Sequence, residues 1–176
     1  TETFAMHRPE EGIQLVYQLE VKRWLVTYRF PPSEGWIVYC DIDAMERANG
    51  GQHRPDKSER ARIAEASLRE MGVKIGPHPL FGRADIVAEH PSNGLFVVEV
   101  EGDSSRQKEQ ALYSALGQLV LQMDGSLHAF MLAVPDEPAW ERQFLKISPY
   151  ARSLLKMTCV LVSANGVRQD IASAGR

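Results

Sequence analysis

The sequence predicts an α/β fold, a mixed central sheet flanked by helices, with an antiparallel β extension at its N-terminus. Three observations carry this. From Ser58 onward, short runs rich in β-branched residues alternate with longer stretches of helical period. A fully apolar strand, Ala129 to Val134, follows a helix that supplies the crossover a parallel neighbour requires. Before the Asn49 to Asp56 linker, by contrast, apolar residues recur at every second position. A chain of 176 residues, 44% hydrophobic and 24% charged, can bury a real core. We divide it into a β-rich extension (1–52), an α/β core (53–165) and a C-terminal tail (166–176).

Ile13, Leu15, Tyr17, Leu19 and Val21 alternate with mostly polar partners, and Trp24, Val26, Tyr28 and Phe30 continue after a phase change, which predicts strand, bulge, strand. A helix from Gly12 to Tyr28 is the competing reading. After the Pro31 to Gly35 turn, Trp36 to Cys40 reads as another strand. Asp43 followed by Glu46 is a capping-box start for a helical turn. Ser58 can cap a helix from about Glu59 to Met71, closed by Gly72, with Glu65 at the edge of its apolar stripe. A short strand at Val73 to Ile75 precedes the Pro77-His78-Pro79 break. Asp103 or Ser104 can cap a long helix through Met123, with Lys108 one turn before Leu112. Helices from Pro138 and Pro149 and a last strand, Thr158 to Val162, complete the core.

Composition limits the function classes. A net charge of −3 places any nucleic-acid contact in a local patch. The apolar runs are too short to span a bilayer, and Thr1 to Glu11 lacks the regions of a signal peptide, so no membrane partner and a cytoplasmic location are expected. Cys40 and Cys159 sit apart among apolar neighbours and read as buried thiols, and no Cys/His cluster offers zinc a site.

The chemistry is concentrated in one hairpin, Gly82 to Glu89 and Leu95 to Gly102. With Ser92 to Gly94 as its loop, Asp85 falls opposite Glu101 and diagonal to Glu99, so three acids share a face. Both faces carry apolar residues, which predicts cover on each side and partial desolvation of the carboxylates. Clustered, shielded acids repel, and a bound cation or a shared proton relieves that repulsion. Oxygen-only ligands point to magnesium, manganese or calcium. The rival reading leaves Glu99 and Glu101 in water at a fraying strand end, with Asp85 paired to Arg83 or another base.

The order of elements from Ser58 to Val162, with Gly82-Arg83-Ala84-Asp85-Ile86-Val87 and Leu95-Phe96-Val97-Val98-Glu99-Val100-Glu101, resembles the PD-(D/E)XK nuclease superfamily, especially its Holliday-junction-resolvase-like branch. The resemblance implies a restriction-endonuclease-like core and a metal-dependent nuclease using Mg2+ or Mn2+. It implies metal ligation by Asp85, Glu99 and the Val100 carbonyl, with Glu65 resembling the acid of the first helix and Gln118 the glutamine of the helix after the motif. DNA is the implied substrate in preference to RNA, with a homodimer or larger assembly as the setting. Where the superfamily has lysine, this chain has Glu101. Some members carry glutamate there and still cut; in others a lysine on the following helix takes over, a place Lys108 can imitate. On this reading Glu101 orients or deprotonates the attacking water, Lys108 stabilises charge on the phosphate and Arg83 contacts it. The alternative is a degenerate member that binds nucleic acid or protein, with Trp24, Tyr28, Trp36 and Tyr39 as a partner surface, in a DNA-processing or defence assembly.

Overall fold

The computed structural model describes residues 14–48, 55–126 and 128–170. The helices are α1 (Gln18–Arg29), α2 (Ala44–Arg47), α3 (Lys57–Glu70), α4 (Lys108–Leu121), α5 (Pro138–Phe144) and α6 (Pro149–Leu154). The strands are β1 (Ile37–Cys40), β2 (Lys74–Ile75), β3 (Ile86–His90), β4 (Gly94–Val100), β5 (Ala129–Pro135), β6 (Met157–Ser163) and β7 (Gly166–Gln169). All seven strands join one mixed sheet in the order β2-β1-β3-β4-β5-β6-β7. Strands β1, β3 and β4 pair antiparallel; β5 and β6 then run parallel to β4, with α4 making the crossover between β4 and β5. The α/β class and the mixed sheet are therefore as expected.

Each face of the sheet is covered. Leu19, Leu25 and Val26 of α1 and Ala61, Ala64 and Leu68 of α3 pack on Ile86, Ala88, Val98, Val100 and Met131. Opposite them, Leu112, Ala115 and Leu119 of α4 and Trp140 and Phe144 of α5 pack on Val87, Val97, Leu132 and Leu161. Alternation along β3 and β4 sends neighbouring side chains to opposite cores, so the hairpin is buried on both sides. Cys40 and Cys159 are both buried.

The N-terminal β extension is corrected. The stretch read as strand, bulge, strand is helix α1, and β1 lies inside the common sheet between β2 and β3. The physical reason is the width of the buried arc. Tyr17, Leu19, Val21, Lys22, Leu25 and Val26 are all buried, and a helix covered that broadly places apolar residues at positions that also satisfy a period of two. The start of α1 is fixed locally by Glu20, whose carboxylate accepts from the Tyr17 backbone N–H at 3.1 Å. The expected linker falls largely on residues 49–54, outside the described residues.

Two further readings change. The hairpin pairs His90 with Gly94 and Val87 with Val97, so its register is shifted by two and Asp85 comes opposite Glu99, not Glu101. Pro91 has no N–H to contribute to a ladder and suits the first turn position, while Gly94 adopts φ +84° where the second strand begins. The shift by two keeps the acids on their face. The expected tail also begins as structure: β7 pairs antiparallel with β6 across Ala164-Asn165, and Asp170 accepts from a buried Arg152 guanidinium at 2.7 Å. Residues 171–176 lie outside the described residues.

Helix α1 is anchored on the exit of β4. The Asp103 N–H donates to the Val16 carbonyl at 2.7 Å, and the Asp103 carboxylate accepts from the Val16 N–H at 2.9 Å. Between them Gly102 lies so close that a Cβ there would stand 2.3 Å from the Gln18 nitrogen. Gly102→Ala is expected to cost about 3 kcal/mol by forcing these backbones apart, read as a lower urea midpoint. A wild-type midpoint would mean that the two backbones separate freely.

Candidate active site

Three elements converge where β3 begins and β4 ends. Asp85 immediately precedes β3, and its backbone continues the pairing with the β1 strand, the Asp41 N–H donating to the Asp85 carbonyl at 2.9 Å. Its Oδ2 accepts from the Val100 N–H at 2.9 Å. Continuing the observed register by one pair sets Asp85 against Glu99. From the other side α1 contributes Gln18, whose Nε2 lies 3.4 Å from Asp85 Oδ1, and Lys22, whose Nζ lies 3.3 Å from the same oxygen.

Lys22 governs the electrostatics. Its side chain is fully buried, and its ammonium also donates to the Asp41 carbonyl at 2.7 Å and to both oxygens of Glu46 at 2.7 and 2.9 Å. Burial alone would depress its pKa, but the carboxylates of Asp85 and Glu46 outweigh it and hold the ammonium above its ordinary value. Glu46 is brought there by α2, whose first turn is capped by Asp43 Oδ1 accepting from the Glu46 N–H at 2.9 Å. Burial nevertheless pushes the Glu46 carboxyl up to about 7 against the pull of Lys22.

Glu99 is 1% exposed, and its Oε1 is buried with no hydrogen-bond partner. Burial first, then the charge and hydrogen bonding of Asp85, push its carboxyl up to about 10. Glu101 is half-buried; burial and Asp85 push it up to about 7, with Arg106 pulling the other way. The pair therefore has unequal members: Asp85, 19% exposed with Lys22 on it, and Glu99, sealed, with its carboxyl held well above the usual range.

The remaining predicted residues lie as follows. Val100 is buried, and its N–H holds Asp85. Glu65 is bound by Arg47 at 2.6 Å and by Arg69 at 3.3 Å, and the hydrogen bond from Arg47 keeps its carboxyl below the usual range. Lys108 pairs with Asp103 at 3.2 Å and lies over the Trp140 ring, whose indole N–H donates to the same carboxylate. Arg83 and Gln118 are exposed. Sequence reasoning missed Gln18, Lys22, Glu46 and Arg106. A lysine inside the apolar run Leu19 to Val26 is a visible signal once that run is read as a helix.

Among the described residues no group of three or more His, Cys, Asp or Glu side chains is set to hold a metal ion. What is present is a two-carboxylate pair with one uncommitted buried oxygen. No helix of the described residues is long and apolar enough to cross a membrane. No protein-family model matches the chain, and neither a curated relative nor a solved structure does.

The raised carboxyls give the protein a definite pH response. An acid whose folded pKa exceeds its unfolded value binds a proton on folding; that stability is fully present below the unfolded value of 4.5 and is lost as pH rises toward the folded one. Glu99 thus drains stability from about pH 4.5 up to about 10. Glu99→Gln keeps the shape without the proton uptake, and at about pH 8 it should be more stable than wild type by at least about 1 kcal/mol. Melting curves at about pH 5 and about pH 8 test this, and a variant no more stable at the higher pH would contradict the assigned protonation.

Proposed function

We propose that the protein is a nuclease-type phosphodiester hydrolase dependent on a divalent cation, Mg2+ or Mn2+, held by Asp85 and Glu99. The observation that carries this is Glu99, sealed beside Asp85, whose Oε1 is buried with no hydrogen-bond partner. Leaving a buried carboxylate oxygen unmatched costs on the order of 1–3 kcal/mol, a cost that a ligand at this position offsets. Magnesium suits such a pair, because it keeps several waters and takes only one or two protein carboxylates. The Val100 carbonyl is the third ligand that the resemblance implies.

The sequence of elements supports the same reading. From α3 to β6 the elements keep the order on which the resemblance rests, with Asp85 immediately before β3 and Glu99 on β4. Nucleic acid, DNA in preference to RNA, follows from that likeness.

The cation, when bound, neutralises phosphate oxygens and acidifies a coordinated water. The chain's own groups do the rest. Glu101, half-buried and within the field of Asp85, orients the nucleophilic water and accepts its proton. Arg106, near Glu101, and the exposed Arg83 contact the phosphate. Lys22 has no exposed surface and acts through Asp85, whereas Lys108 is held by Asp103 and braces the start of α4. Gln18 steadies Asp85 from the mouth of the site.

One observation favours a second reading. Both oxygens of Asp85 already have protein partners, and Glu101 stands where the superfamily has lysine. A cluster neutralised in this way suits a non-cleaving module that binds nucleic acid or protein. The two readings part on metal binding and cleavage. Magnesium or manganese should raise the melting temperature saturably, and Asp85→Asn should remove most of that rise. Wild type should cut single-stranded, duplex or branched DNA, and Glu99→Ala should abolish cutting while leaving binding largely intact. Retained cutting in purified Glu99→Ala would rule out the proposed ligand set; metal-independent stability with no cutting by wild type would select the binding module.

A further inference from the structure

The break at Pro77-His78-Pro79 opens the loop that leads into β3, and a buried histidine holds that loop. His78 is 6% exposed and packs T-shaped on the Tyr39 ring, 4.8 Å between centroids. Its two nitrogens have different partners. Pro79 has no N–H, so the first two backbone donors after His78 are those of Leu80 and Phe81, and both end on His78 Nδ1, at 3.1 and 3.3 Å. A ring nitrogen that accepts carries no hydrogen, so the hydrogen of the neutral imidazole is on Nε2, which donates to Glu89 Oε1 at 2.7 Å. Phe81 is thereby seated in the same core as Val87, and the Ala84 N–H donates to the Phe81 carbonyl at 3.0 Å, one residue before Asp85.

We infer that His78 is a pH-sensitive latch: as a neutral imidazole it holds the loop from Pro77 to Ala84 through two backbone amides, and protonation at Nδ1 removes that hold. The chemistry leaves no intermediate arrangement. An imidazolium has a hydrogen on each nitrogen and no acceptor, so it cannot receive the Leu80 and Phe81 amides. On the other side of the ring Glu89 favours the charged form, because its carboxylate becomes the partner of an ion pair. One ring thus sets two amides against one carboxylate, and pH decides between them. Among the described residues, Lys74 of β2 and His128 before β5 reach this neighbourhood through aromatic rings: Lys74 lies 5.0 Å from the centroid of Tyr39, and His128 packs on Phe81 at 5.3 Å. The latch is independent of any cation at Asp85 and Glu99.

The test is amide hydrogen exchange of the full-length protein by NMR between about pH 8 and about pH 5, read as protection factors so that the pH dependence of the exchange chemistry cancels. Leu80 and Phe81 should be protected at the upper end and lose at least about tenfold in protection at the lower end, while Val98 and Leu132 in the centre of the sheet keep theirs. His78→Asn offers a side-chain oxygen to the same two amides and does not titrate, so its protection should stay level across the range. Glu89→Gln removes the partner of the imidazolium and should move the fall to lower pH. The ring nitrogen shifts of His78 in wild type, which need no variant, should show the hydrogen on Nε2 at the upper end and an imidazolium whose midpoint coincides with the loss of protection. Level protection in wild type, an equal fall in His78→Asn, a fall at unchanged pH in Glu89→Gln, or a neutral ring with its hydrogen on Nδ1 would each overturn the latch.

Discussion

A single buried ammonium makes this site possible. Lys22 is enclosed at the junction of α1, α2, the end of β1 and the start of β3, and four oxygens from three segments converge on it. Taking a lysine out of water costs several kcal/mol unless its partners are well placed, and here they are supplied by a carbonyl, a capped helix and the catalytic candidate Asp85. The arrangement explains why Asp85 and Glu99, side by side, differ so sharply. One carboxylate has the ammonium and the Val100 N–H; the other has only its neighbour, and its carboxyl is pushed well up from the usual range. The order of charge in the site follows from the placement of one helix.

That helix is also where the sequence was hardest to read. The hairpin, the crossover α4–β5 and the last parallel strand were legible because their signals are local: β-branched runs, a turn with proline and glycine, an apolar segment too short for a helix. Asp85, Glu99 and Glu101 could be placed on one face from the period of two alone. Their register could not, because a shift by two leaves every side chain on its face and only the turn decides it. α1 was misread because its burial extends over so much of its circumference that the helical stripe blurs. With it went Gln18 and Lys22, and Glu46 could be seen only as a capping residue. The short hairpin that turns at Ala164-Asn165 reads as a tail, although the adjoining Asn165-Gly166 dipeptide is a turn signal.

Glu65 and Lys108 illustrate a different difficulty. Both lie on helices at positions whose spacing directs them toward the hairpin, and both have nearer partners of opposite charge: Arg47 and Arg69 for the one, Asp103 for the other. Helical spacing gives the face of a residue, while the identity of its partner depends on how the helices sit on the sheet. Asp103 accordingly serves as a bracket, receiving the Val16 N–H, the Trp140 indole and the Lys108 ammonium on one carboxylate.

The contact of Gly102 and Asp103 with the start of α1 joins residues 87 positions apart in the chain. The hairpin that pairs Asp85 with Glu99 closes over a short loop, whereas α1 can dock only once that much longer loop is closed, so the two acids can meet before their ammonium arrives. During that interval the pair lies open to water, and the long-range closure is also the event that brings the ammonium to it. Assembly of the fold and charging of the site are in this sense a single step. A chain emerging from synthesis makes helix α1 well before the surface it docks on, which lies more than eighty residues further along.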